Sequence, residues 1–143
     1  MTVQAILLPL FVEVILTFAL GFWLAALRTR DFRSGVVTDR DIALREPNWS
    51  THTLQVSYSF SNQFELPVLF YVLTNLALVT KHADLIFVVL AWIFVICRIL
   101  QAYVHVTTNI VLLRGSFFIV SAFVLALMWL IYIVEVLTLP RLI

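Results

Sequence analysis

Charge is what this sequence has least of. Asp, Glu, Lys and Arg make up 12% of its 143 residues, where an ordinary soluble domain carries about 25%. A chain so poor in charge cannot clothe a water-facing surface. With 63% hydrophobic residues and a mean hydropathy of +1.07 it reads as an integral membrane protein. The formal net charge of +1, with no Lys- or Arg-rich block, argues against binding to a phosphate backbone, so nucleic acid is not an expected partner. A single cysteine, Cys97, excludes an internal disulfide and reads as a small buried apolar residue. Internal repeats and low-complexity segments are absent, and no metal site is expected.

What the chain does have is apolar length. Four runs, at about 3–27, 62–80, 84–112 and 116–139, are predicted to cross the membrane as a single all-α domain over 1–143. The first is broken only by Gln4, Glu13 and Thr17, and its roughly 25 residues give roughly 37 Å of helix. It lacks a basic start and is too long for a signal-peptide core, so it is expected to be retained. Pro9 either kinks this helix or marks its start. Glu13, Thr17 and Gly21 share one line along it, suited to packing against a neighbour. The second run holds Pro67, Thr74 and Asn75 and ends in the short turn Lys81 to Asp84, which makes the second and third helices antiparallel neighbours. Another short connection, Arg114-Gly115-Ser116, leads to the fourth run, which Pro140 ends.

Between the first two runs the composition changes. Over 28–61, Arg28, Arg30, Arg33, Arg40 and Arg45 alternate with Asp31, Asp39, Asp41 and Glu46, while Gly35, Pro47 and Asn48 break any long helix. Five basic residues close to a membrane span put this loop on the cytoplasmic side, and both termini on the other. Trp49 and Tyr58 suit the headgroup level, and His52 reads as a solvated loop residue.

The third run carries the unusual feature. Arg98, Gln101, His105 and Asn109 fall on one face of a helix, with Arg114 following. An arginine at the centre of a membrane helix costs about 2.5–3.5 kcal/mol on insertion scales, so it rarely faces lipid. This stripe is expected to line an internal site or a seam between helices. Folding the chain back at about residue 82 puts Glu65 level with roughly residue 99 and Asn62 with roughly residue 102, so Glu65 is expected to meet Arg98. Two readings stay open: the pair fixes helix register, or Asn62, Glu65, Arg98, Gln101 and His105 form a polar pocket.

These residues resemble a known family. Asn62-Gln-Phe-Glu65-Leu-Pro67, the span ending Arg98-x-x-Gln101-x-x-x-His105, the following Asn109 and Arg114, and the layout of four spans with one long loop are similar to the MAPEG family, membrane-associated proteins of eicosanoid and glutathione metabolism. The resemblance implies a homotrimer of four-helix bundles in lipid, with glutathione bound between subunits near the cytoplasmic face. It also implies roles. Asn62 and Glu65 contact the tripeptide, Arg98 braces Glu65, Gln101 and His105 line the pocket, Arg28 or Arg30 holds a carboxylate, and Arg114 stands by the sulfur as the catalytic cation. The implied activity is transfer of glutathione to, or reduction of, lipophilic electrophiles. Relative to the prostaglandin E synthase of that family, Ser61 replaces an Arg, Gln101 a His, and Gly115 and Phe118 a Ser and a Tyr. A non-catalytic membrane subunit, or a lipid- or quinone-binding scaffold using the same polar seam, is the alternative.

Overall fold

A computed structural model describes residues 1–139, so the expectation for Pro140 lies outside the described residues. Those residues form six helices and no strand: α1 (Val3–Arg33), α2 (Asp39–Ile42), α3 (Thr51–Asn62), α4 (Leu66–Val79), α5 (Leu85–Val106) and α6 (Val111–Thr138). The helices α1, α5 and α6 are each long and apolar enough to cross a membrane, as befits an integral membrane protein.

Helix α1 starts at Val3, where the Thr2 hydroxyl accepts from the Ala5 N–H at 3.3 Å, and runs through Pro9 rather than beginning there. Its 31 residues span roughly 46 Å, well beyond a hydrocarbon core of roughly 30 Å. The surplus is the polar end from Arg28 to Arg33. Much of the predicted loop is therefore helical, because α1 extends into it and α3 occupies its last third.

Helix α4 has 14 residues, roughly 21 Å, and does not span a bilayer by itself. It continues α3 across a break. Gln63, Phe64 and Glu65 each donate a backbone N–H to the carbonyl three residues back, at 3.0, 3.0 and 3.3 Å, which tightens the chain into a 3₁₀ turn. Glu65 then leaves helical space (φ −99°, ψ −106°), and Pro67, with no N–H to give, fits the first turn of α4. Asn62 and Glu65 thus sit at a hinge between helices instead of inside a continuous span.

The reversal between α5 and α6 occupies 107–110, earlier than the expected connection at Arg114-Gly115-Ser116. Asn109 adopts a left-handed conformation (φ 52°) and its N–H reaches the Val104 carbonyl at 2.7 Å, closing the end of α5. Asn109 consequently leaves the face it was predicted to share with Arg98, while Arg114, Gly115 and Ser116 lie within α6.

Packing divides the interior in two. One apolar cluster joins α4, α5 and α6 through Phe70, Leu73, Phe94, Val95, Leu125 and Met128. A second joins α1, α3 and α5 through Leu20, Leu24, Leu27, Val56, Ala102 and Val106. Along α1 and along α5, Glu13 and Arg98 fall between the two clusters.

Candidate functional site

Arg98 is the largest side chain wholly removed from the surface. Its Nη2 donates to the Asn62 carbonyl at 2.8 Å, so a cation caps the C-terminus of α3, where unpaired carbonyls concentrate negative charge. The bond ties α5 to the hinge that carries Asn62 and Glu65. Nε and Nη1 have no hydrogen-bond partner.

The expected ion pair between Arg98 and Glu65 is not formed. Glu65 is exposed at the hinge, and no ion pair joins it to the guanidinium among the described residues. Backbone geometry explains this: the break after Asn62 turns a carbonyl toward Arg98 and swings the next residues away. Glu13 and Glu65 both lie close enough for their charges to act on Arg98. Glu13 is fully buried on α1, and both of its carboxylate oxygens lack partners. Sequence reasoning noticed Glu13 as a packing residue but not as the neighbour of Arg98, since nothing in the spacing pairs the first helix with the fifth.

Further along α5, Gln101 and His105 are buried on the same side as Arg98, and Gln101 Oε1 and His105 Nδ1 have no partner. Arg114, half-buried in the first turn of α6, donates through Nη1 to Asn109 Oδ1 and lies close enough for its charge to act on His105. Asn109, lost from the α5 face, thus returns as the residue that orients Arg114.

The two arginines at the end of α1 differ. Arg28 donates through Nη2 to Ser57 Oγ at 3.2 Å and lies 5.1 Å over the Trp49 ring, with Nε unpartnered. It lines a cleft of ≈ 470 Å³ with Arg45, Glu46, Ser57, Tyr58 and Ser61. Arg30 instead is exposed and donates to Asp31 Oδ1 at 3.2 Å and Ser50 Oγ at 3.3 Å. Of the two, Arg28 is the one placed to meet a ligand.

Asp31 itself went unnoticed in the sequence, read as one of several alternating loop charges. It is buried, and Oδ2 accepts from the Ser50 N–H at 3.1 Å, the Ser50 hydroxyl at 2.8 Å and the Thr53 hydroxyl at 2.8 Å. A carboxylate at the N-terminus of α3 complements that helix's positive end and fastens it to α1. His52, expected to be solvated, is half-buried edge-on to Trp23, with ring centroids 5.2 Å apart.

The structure therefore gathers Asn62, Arg98, Gln101 and His105 along one side of α5, sets Arg114 beside His105, and leaves Glu65 at the rim. The second apolar cluster, where Leu24 and Leu27 meet Ala102 and Val106, puts Arg28 at the same end of the molecule. Chemically the set has cations for anionic groups, an exposed carboxylate for a cation, and amide and imidazole acceptors. A profile of the MAPEG family matches residues 6–134 of the chain. No curated protein and no solved structure gives a significant match.

Proposed function

The chain belongs to the MAPEG family of membrane proteins, and from that premise we propose that it binds glutathione and conjugates or reduces lipophilic electrophiles that reach it through the bilayer. The observation that carries this reading is the row of partnerless polar atoms farther along α5, Gln101 Oε1 and His105 Nδ1, leading to Arg114. Each buried polar group left unsatisfied costs about 1–3 kcal/mol, so such a row calls for polar company. Glutathione matches the donor set: carboxylates, one ammonium group and a thiol, against Arg28 and Arg114 on one side and Glu65 and Asn62 on the other.

When bound, glutathione supplies the nucleophilic sulfur, which reacts as the thiolate. Arg114, held by Asn109, stabilises negative charge at that sulfur; Gly115 and Phe118 offer no hydroxyl to help it, and the Ser116 hydroxyl is given to the Leu112 carbonyl. Arg28 holds a carboxylate from the cleft at the end of α1. Asn62 and Glu65 receive the amino end at the hinge. Arg98 acts from behind, keeping the hinge closed on α5.

In this reading α4, with α3 leading into it, completes a fourth span, the 28–61 segment faces the cytoplasm, and three subunits assemble so that the site lies at their junctions. The lines of exposed apolar side chains are what lipid and neighbouring subunits would cover; on α1 these include Leu8, Phe11, Ile15, Phe18 and Phe22. Thermal unfolding in detergent tests the ligand. Glutathione at about 100 times its dissociation constant is expected to add about 2.7 kcal/mol, and Arg114→Ala and Glu65→Gln are expected to weaken that effect. If both variants are stabilised as well as the parent protein, the site is misplaced; if the parent itself does not respond, the glutathione reading falls.

A further inference from the structure

Glu13 has no part in the function proposed above, yet it is a carboxylate wholly enclosed by a membrane protein with neither oxygen bonded. On α5, which packs against α1, and likewise between the two apolar clusters, is a wholly enclosed guanidinium with two of its three nitrogens unbonded. An isolated charge buried away from water is far costlier than a paired one, so two such groups of opposite sign between the same pair of packed helices have a strong reason to meet. The geometry of the groups fits this. Arg98 uses Nη2 on the Asn62 carbonyl and keeps Nε and Nη1, the edge that grips a carboxylate with two parallel hydrogen bonds.

Glu65 is the alternative partner, and it stands apart: exposed, at the hinge, where water can solvate its charge. We propose that Glu13 is the counter-ion of Arg98 and thereby a positioning residue of the ligand site, because a guanidinium neutralised from α1 leaves the Glu65 carboxylate free to receive an ammonium group. Resting on the glutathione reading, the inference gives Glu13 a defined role, that of keeping Glu65 free for the amino group already assigned to it. Without Glu13, Arg98 draws Glu65 inward, and the ammonium subsite disappears while the subsites for the carboxylates and the sulfur remain.

The test compares glutathione with N-acetylglutathione, which lacks the ammonium charge, on the full-length protein in detergent. The parent protein is expected to prefer glutathione by about tenfold, equivalent to about 1.4 kcal/mol. Glu13→Gln is expected to lose most of that preference by weakening glutathione alone, and Glu13→Asp to keep it. Equal weakening of both ligands by Glu13→Gln, or no change, overturns the positioning role. Melting temperatures of Glu13→Gln, Arg98→Met and the double variant decide the pairing without any ligand. A combined effect smaller than the sum of the two supports the pair, and simple additivity overturns it. A parent protein that binds neither peptide defeats the glutathione reading, while the melting temperatures still decide the pairing.

Discussion

Arg98 shows how one residue can be both a burden on the fold and the reason the fold holds its shape. Its guanidinium is bonded to a backbone carbonyl at the end of α3 and lies close enough to feel the charge of the buried Glu13 on α1, so three helices have a stake in one side chain. Arg98→Met removes the cap and leaves Glu13 alone, which is expected to destabilise the protein by about 3 kcal/mol. Thermal unfolding in detergent measures this, and a loss below that of an ordinary surface substitution would deny Arg98 its central place. A gentler residue-scale effect belongs to Asp41. Its carboxylate accepts from the Thr38 N–H at 2.7 Å and from the Thr38 hydroxyl at 2.9 Å, and these bonds, the backbone one foremost, hold its pKa below the ordinary 3.8. A lowered carboxylate pKa stabilises the folded form fully above the unfolded value and loses that contribution as the pH falls through the folded one. The α2 turn is therefore expected to keep its amide-exchange protection at Thr38 down to about pH 4 and to lose it below that, with Asp41→Ala, which removes the acceptor, lacking the protection throughout.

At the scale of the element, α3 matters most. Nothing in its twelve residues reads as an apolar helix, and it owes its place to attachments at both ends: Asp31 at the N-terminus and Arg98 at the C-terminus. Asp31→Ala is expected to cost about 2 kcal/mol, the scale of hydrogen bonds to a charged group, and to expose the first turn of α3 to hydrogen exchange before the rest of the molecule. Between the two ends, α3 lies close on α1 at Gly21, where an added Cβ would meet Phe60 Cε2 at 3.0 Å. Gly21→Leu is expected to push the two helices apart and destabilise by about 1–3 kcal/mol, read as a lowered melting temperature and faster exchange in α3 than in α6. These attachments also mark what was legible beforehand. Helices α1, α5 and α6 announce themselves by uninterrupted apolar length, and the family by Asn62, Glu65, Arg98, Gln101, His105 and Arg114. The fold-back estimate put Asn62 near residue 102, and the structure brings its carbonyl to Arg98. The hinge at 63–65 escaped because its cause is a tightening of backbone bonds rather than a residue type, although Pro67 hinted at it. The turn at Asn109 had a signal, an asparagine suited to left-handed backbone, which helical spacing concealed. Glu13 and Asp31 escaped because their partners are on other helices, and no period within one segment reports a contact between two.

For the whole molecule, the two apolar clusters with charged groups between them pose a question of where stability comes from. In a bilayer the apolar effect that drives soluble folding is largely absent between helices, since lipid chains receive leucine or phenylalanine as readily as protein does. Cohesion then falls to tight packing and to polar contacts such as those of Arg98 and Asp31. Large apolar side chains stand exposed along α1, α4, α5 and α6, and a largely apolar cleft of ≈ 640 Å³ opens beside Val14, Thr17, Phe18, Gly21 and Tyr71. If three copies share those surfaces, unfolding is coupled to dissociation, and stability depends on protein concentration. Solubilised protein diluted about a hundredfold at constant detergent-to-protein ratio is therefore expected to melt several degrees lower, with native mass spectrometry showing three chains of 16.4 kDa before the transition and single chains after it. A melting temperature that does not move with dilution, together with a single-chain mass throughout, would mean that each subunit carries its own stability and that the polar contacts inside it are sufficient.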